Sequence, residues 1–512
     1  MHDDQIPAKD SAAAPTRRGL LTGAAAIAPM AMIAEAEAAT PNRAAIARAV
    51  ERQKDQTIAA IQEWIRNPTI AAEGVNVDGG AQYMAQLARD AGFQHVEVVP
   101  TDGVPGVYAT LDAGAEKWLG VYFMYDVKQS NPEEWSSPPL EARIVDHALG
   151  RAIMGRGAVN QKGPEMAFLA ALHALREAGR SLPVNLVLVA EGEEEIGSPH
   201  FHQIVRRPDI MAALQRTQGI FIPTAWQDPA TGGVGVNLGA KGIIECELIA
   251  SGERWGRGPA RAIHSSTKAM VDSPVWRLVQ ALQTLVSPDG NTVAIDGWYD
   301  NVRPLTARER ELIAQNARNT SEADWKQRQA VPRFIDDLPW REALERLASQ
   351  PTVNIEGLVA GYTGPGGMTI LPGSGTAKLD MRLVPNQTRA ECEAKLRAHL
   401  DARGFPDVEI VVGGGYDPTE TAEDSRIVRA QLAVCRANRV SATLYPRLAG
   451  SWPGAVFTQP PVAIPAAQFG LGHGGGAHAP DEYFVIDPNN ARVKGLTGAV
   501  MGFVDFLYEM AR

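Results

Sequence analysis

The chain has 512 residues, of which 45% are hydrophobic and 21% charged. That length exceeds what one hydrophobic core usually organises and predicts two or more domains. A formal net charge of −10, with no Lys/Arg block after residue 40, argues against nucleic-acid and anionic-membrane partners and favours a small-molecule substrate.

Residues 1–39 read as a twin-arginine export signal. Thr16-Arg17-Arg18-Gly19-Leu20-Leu21 precedes an Ala-rich apolar run that closes in small residues at Ala36-Glu37-Ala38-Ala39. The run from Leu20 to Ala34 is too short to span a membrane. The mature protein is therefore expected in the periplasm or outside the cell.

Beyond the signal, helical spacing of Ile46, Val50, Ile58, Ile61 and Ile65 predicts a first helix from Asn42 to about Ile65. Strands follow at Val96–Val99, Val107–Leu111 and Trp118–Tyr125, then a helix from Pro164 to Glu177. The nearly continuous apolar run Pro183–Ala190 is a strand buried on both faces, and it ends at the acidic cluster Glu191–Glu195. Polar residues at the end of such a strand mark the usual place for a site on an α/β sheet. From Ile243 to Ile249 the pattern alternates, as in a half-exposed strand. A helix from Val271 to Leu285, two strands within Thr369–Pro385, a helix from Arg389 to Ala402 and a strand at Val408–Val412 complete a small sheet with helices on one face. The charged stretch Thr306–Ser349 reads as a helical insertion, and Leu496–Met510 as a closing amphipathic helix. Cys246, Cys392 and Cys435 fit no metal-ligand spacing and cannot all pair, so they read as buried thiols.

Four segments at predicted strand ends carry the chemistry. They are Phe123-Met124-Tyr125-Asp126-Val127, the Gly-rich turn from Gly155 to Pro164, Glu191 to Ser198, and Gly472 to Tyr483 with His473 and His478. Each is weak alone, since an acidic run is usually a solvated turn and a Gly-rich turn suggests anion binding only loosely. Their joint order is informative.

In that order the chain resembles the co-catalytic zinc exopeptidases and deacylases. The likeness also includes Ala262-Ile263-His264-Ser265-Ser266, Gly361 to Gly367, Arg382-Leu383-Val384-Pro385 and Arg447-Leu448-Ala449-Gly450-Ser451. It implies an α/β fold: a catalytic domain with a mixed, mostly parallel sheet flanked by helices, residues 40–240 and 417–512, plus an inserted α+β lid and dimerisation domain, residues 241–416. It also implies two zinc ions and a homodimer formed through the lid.

Carrying the family's roles onto this chain exposes substitutions. Met124 stands where the first His ligand belongs, Asn160 replaces the bridging carboxylate, and Thr224 is the best match for a further Asp ligand. Asp126, which orients the lost His, remains; Glu194 matches the general base, and Glu195 and His478 match two ligands of the second metal. His264 matches the lid histidine that stabilises an oxyanion, and Arg447, with Ser451 nearby, matches a group that holds a substrate carboxylate. Zinc needs three or four N, S or carboxylate donors, and a bridge between two dications must be anionic. The expectation is no metal or a single weakly bound divalent ion, not a full di-zinc centre. Lys128 and Lys162 flank the vacated site in sequence and could supply positive charge there. His200, His202 and His473 read as surface or loop histidines and not as rescuing ligands.

The leading expectation is an exported hydrolase that cleaves an amide or N-acyl amino acid C–N bond in a small carboxylated substrate, with Glu194 as acid/base and Asn160 and Lys128 beside the substrate. A metal-independent lyase or isomerase and a non-catalytic carboxylate-binding protein are the rival readings.

Overall fold

The computed structural model describes residues 42–512. The expected export signal lies outside the described residues.

A six-stranded sheet forms the centre, in the order His95–Val99, Gly106–Leu111, Asn185–Glu191, Trp118–Met124, Thr217–Pro223, Ala466–Phe469. The first two pairings are antiparallel and the other three parallel. Every residue of Asn185–Glu191 is buried, because apolar layers cover both faces. Phe123, Leu186, Leu188 and Phe221 face helices Arg43–Arg66, Gly163–Glu177 and Leu496–Ala511. Tyr122, Met124, Val187, Val189 and Ile222 point the other way, into a cluster with Phe201, Trp452 and Phe457. The period-2 alternation of a strand accounts for this division.

A second, antiparallel sheet runs Thr352–Ala360, Ser374–Leu383, Gly242–Ser251, Glu409–Tyr416. Ile244, Cys246, Leu248 and Ala250 lie on one face with Ala377, Leu379 and Met381, packed against helices Pro274–Thr284 and Arg389–Ala402. The alternation in the sequence thus translates into one covered face, and all three cysteines are free and buried. Helices Ala307–Asn319, Glu322–Gln329 and Trp340–Ser349 form the charged insertion. The first of these is fixed by a capping box between Thr306 and Glu309.

The helix expected from Val271 starts at Pro274, where Ser273 accepts the Trp276 N–H as N-cap. A small sheet of Arg143–His147, Gly150–Met154, Tyr483–Pro488 and Gly474–Gly475 was not foreseen. Its outer strand is mostly solvated, which removes the hydrophobic alternation, and its central pairing, Gly150–Met154 with Tyr483–Pro488, joins segments more than 300 residues apart. The edge strand Thr352–Ala360 escaped notice for the first reason. Among the described residues no helix is long and apolar enough to cross a membrane.

Candidate active site

The parallel strands deliver the functional segments to one edge of the central sheet. Met124 and Glu191 are directly paired at the ends of adjacent strands, so Asp126 and the Glu193–Glu195 turn emerge side by side. Thr224 follows the third parallel strand, and the Gly472–Glu482 loop follows the fourth.

Asp126 is fully buried and ties the acidic turn down. Its carboxylate accepts the backbone N–H groups of Glu194 at 3.2 Å and Glu195 at 3.0 Å. Burial pushes its pKa up to about 8, reinforced by the charge of Glu195 and opposed by those N–H bonds. Glu194 is held well above the usual carboxylate range by burial first, then by the charges of Glu195, Asp126 and Glu191, with Lys128 opposing. The Tyr416 hydroxyl stands 3.5 Å from its Oε1. Glu191, also buried and shifted upward by desolvation, accepts from Tyr122 Oη and Ser198 Oγ, both at 2.9 Å.

Beside Glu194, Asn160 Nδ2 lies 2.8 Å from Glu195 Oε1 and 3.1 Å from His478 Nε2. His478 Nε2 is in turn 3.1 Å from Glu195 Oε2. One ring nitrogen cannot serve both contacts in the same state: unprotonated it accepts from Asn160, and protonated it donates to Glu195. The backbone of His478 has φ +64°, a conformation that non-glycine residues adopt at a cost and that clusters at functional sites. Lys128 Nζ donates to the Glu195 carbonyl and sits 3.8 Å from its Oε2.

Lys162 takes a different course. It is fully buried, donating to the Trp64 carbonyl at 2.9 Å, and burial lowers its pKa to about 7 against the pull of Glu165, Asp126 and Glu482. Its ammonium serves the end of the first helix, not Glu195. His264 is exposed and bonds Ser266 Oγ at 2.8 Å. Arg447 is buried, with its guanidinium on Glu309 and on the Ala348 carbonyl at 2.6 Å, which clamps the helical insertion. Ser451 Oγ accepts from Arg382 at 2.9 Å. His200 bonds Glu193 at 2.9 Å, and His473 is buried between the Gln227 carbonyl and the Tyr483 hydroxyl, not in an open loop.

Two participants were missed in the sequence. Glu482 is fully buried and accepts the N–H groups of Gly157, Val159 and Asn160 at 3.1, 2.9 and 2.9 Å, together with Arg156 at 2.7 Å. It therefore shapes the Gly-rich turn that presents Asn160. Its signal was position, four residues after His478 in the same segment. Arg382 is the other; it lies in the Arg-Leu-Val-Pro run and is the cation that meets Ser451.

A mixed sheet with a carboxylate cluster at the ends of its parallel strands, beside a separate antiparallel sheet, defines a two-part hydrolytic scaffold. The chain belongs to peptidase family M20/M25/M40, whose model matches residues 125–501, and it is a hydrolase of the metallopeptidase type. It is 26% identical over 371 residues to Cys-Gly metallodipeptidase dug1 of Schizosaccharomyces pombe, covering 69% of this chain and 74% of that protein. The M20 family metallo-carboxypeptidase Sso-CP2 of Sulfolobus solfataricus is 30% identical, with a TM-score of 0.78 over 89% of this chain and 99% of that one. Human carnosine dipeptidase 1 shares the fold at 22% identity, with a TM-score of 0.75 over 92% of this chain and 99% of that one.

The residues present do not fit a pair of zinc ions. Met124 turns its side chain into the apolar cluster around Trp452 and Phe457. Asn160 turns an N–H donor toward Glu195 and offers no anion that could bridge two dications. Thr224 is neutral and buried. Among the described residues no three His, Cys, Asp or Glu side chains converge as a metal site.

Proposed function

We propose that the chain is an exported member of its family that cleaves a C–N bond in a small carboxylated amide or N-acyl amino acid, with Glu194 as acid/base and without a full di-zinc centre. The single observation that carries this reading is the Asn160 amide linking Glu195 to His478. A neutral side chain holds together the two ligand-type groups that remain. Glu194 stays intact beside them, with a pKa displaced in the direction a general acid/base needs.

In this reading Glu194 takes a proton from the attacking water and returns it to the departing nitrogen. The water oxygen bonds the carbonyl carbon, the C–N bond breaks, and a carboxylate and an amine leave. Lys128, on the Glu195 carbonyl and acting on Glu194 by its charge, supplies a positive charge for the developing oxyanion. Arg382, partly exposed beside Ser451 and 3.6 Å from Asp380, suits a substrate carboxylate better than Arg447, whose buried guanidinium is committed to Glu309.

His264 makes its side-chain hydrogen bond within its own turn, so it completes a site only when a second copy brings it there. An exposed apolar face supports that copy. Trp276 is 62% and Met270 85% exposed, and Ile355, Leu358 and Val359 line the solvated edge strand. Export through the twin-arginine route rests on Arg17-Arg18 and the apolar run after them. The test is turnover of a panel of dipeptides and N-acyl amino acids by the mature chain: Glu194→Gln eliminates a measured activity if the reading holds, and leaves it unchanged if it does not.

A further inference from the structure

A cavity of about 370 Å³ lies between the helical insertion and the segment Tyr445–Ala449. None of Asp126, Glu194, Glu195 or His478 lines it, so it is distinct from the carboxylate cluster. Its walls are aromatic: Trp226, Trp325, Trp340 and Tyr445. Trp340 is stacked on Phe334 at 5.6 Å and tilted on Trp325 at 5.9 Å, which braces that wall. Trp226, by contrast, leaves 38% of its surface open to solvent.

Arg328 makes no ion pair among the described residues and stands exposed on the rim. The Arg328 charge reaches the Tyr445 hydroxyl, so the guanidinium and the aromatic walls share one recess. That recess is complementary to a flat ring that carries an anion.

We propose that this cavity binds an aromatic carboxylate, with the ring between Trp226, Tyr445 and Trp340 and the carboxylate against Arg328. Trp226 pairs by its backbone with His473, in the loop that ends at His478, so an occupant abuts the segment that carries a site residue.

The test is a titration of the mature chain with 3-phenylpropionate, followed by tryptophan fluorescence and calorimetry. Saturable binding is expected, weakened about tenfold both by Arg328→Gln and by replacing the ligand with its neutral amide. Trp226→Leu, which removes an aromatic wall, weakens binding several-fold, and hexanoate binds less well than the aromatic acid. Glu194→Gln leaves the affinity unchanged. The proposal is overturned by no saturation up to about 10 mM, by equal affinity for the amide, or by loss of binding in Glu194→Gln, which would place the ligand in the carboxylate cluster. These outcomes are independent of whether the chain hydrolyses any substrate.

Discussion

Asn160 and Glu195 stand 2.8 Å apart, amide nitrogen to carboxylate oxygen, at the position that the resemblance read in the sequence assigns to a bridging carboxylate. The contact is favourable only because residue 160 is neutral. An aspartate there would face Glu195 as a like charge unless a cation intervened. Met124→His, Asn160→Asp and Thr224→Asp made together are therefore expected to convert a chain that holds little zinc into one that holds about two ions. Elemental analysis of both proteins after dialysis against zinc reads the difference, and equal metal content in the two contradicts the expectation.

Removing the acid/base should act on the chemical step. Glu194→Gln is nearly isosteric and should lower kcat by about 100- to 10,000-fold with little change in KM. Steady-state kinetics decide it: a variant that loses only affinity assigns Glu194 to binding.

Lys128 has its ammonium on the Glu195 carbonyl. Lys128→Met should cost about 2 to 4 kcal/mol of transition-state stabilisation, the scale of one preorganised donor to an oxyanion, whereas Lys128→Arg retains part of it. Ratios of kcat/KM measure this, and a Lys128→Met enzyme within twofold of the parent excludes the role.

Acid should loosen the helical insertion. Burial alone would raise the pKa of Glu309, but hydrogen bonds from Arg303 and Thr306 and the charge of Arg447 outweigh it, leaving it at about 2 against an ordinary 4.5. A depressed carboxylate pKa contributes stability that is complete above the unfolded value near 4.5 and fades as pH falls toward 2. That contribution is about 3 kcal/mol. Glu309→Gln should thus be strongly destabilised at pH 7, and its deficit relative to the parent should shrink below pH 4.5. Denaturant melts across pH 3 to 7 follow this, and a deficit independent of pH rules it out.

If His264 acts across a dimer, His264→Ala and Glu194→Gln proteins, each inactive, should regain activity when mixed and allowed to exchange subunits. Random exchange leaves one intact site in half of the dimers, about a quarter of the parent activity. Leu358→Asp should give a monomer by light scattering, and full activity of that monomer contradicts the shared site.

The chain was legible where burial imposes periodicity. Leu186 to Ala190 had to be an interior strand, and Ile244, Cys246 and Leu248 had to share a covered face. Asp126, Glu194, Glu195, Asn160 and His478 could be listed from their segments, and their meeting at the ends of parallel strands follows from the topology. Hidden from one-dimensional reading were contacts between distant segments. Glu482 reaches back more than 300 residues to shape the turn at Asn160, and Arg447 is absorbed by Glu309 of the insertion. Solvated strands such as Arg143–His147 leave no hydrophobic trace. Lys128 and Lys162 both flank the site in sequence, and only the fold sends one to Glu195 and the other to Trp64.

The most direct measurement combines metal analysis with turnover on the same sample of the mature protein. Activity that persists after exhaustive treatment with a chelator, in protein holding far less than one zinc ion per chain, is the predicted result. A full pair of zinc ions per chain, with activity lost to chelator and restored by zinc, would contradict it.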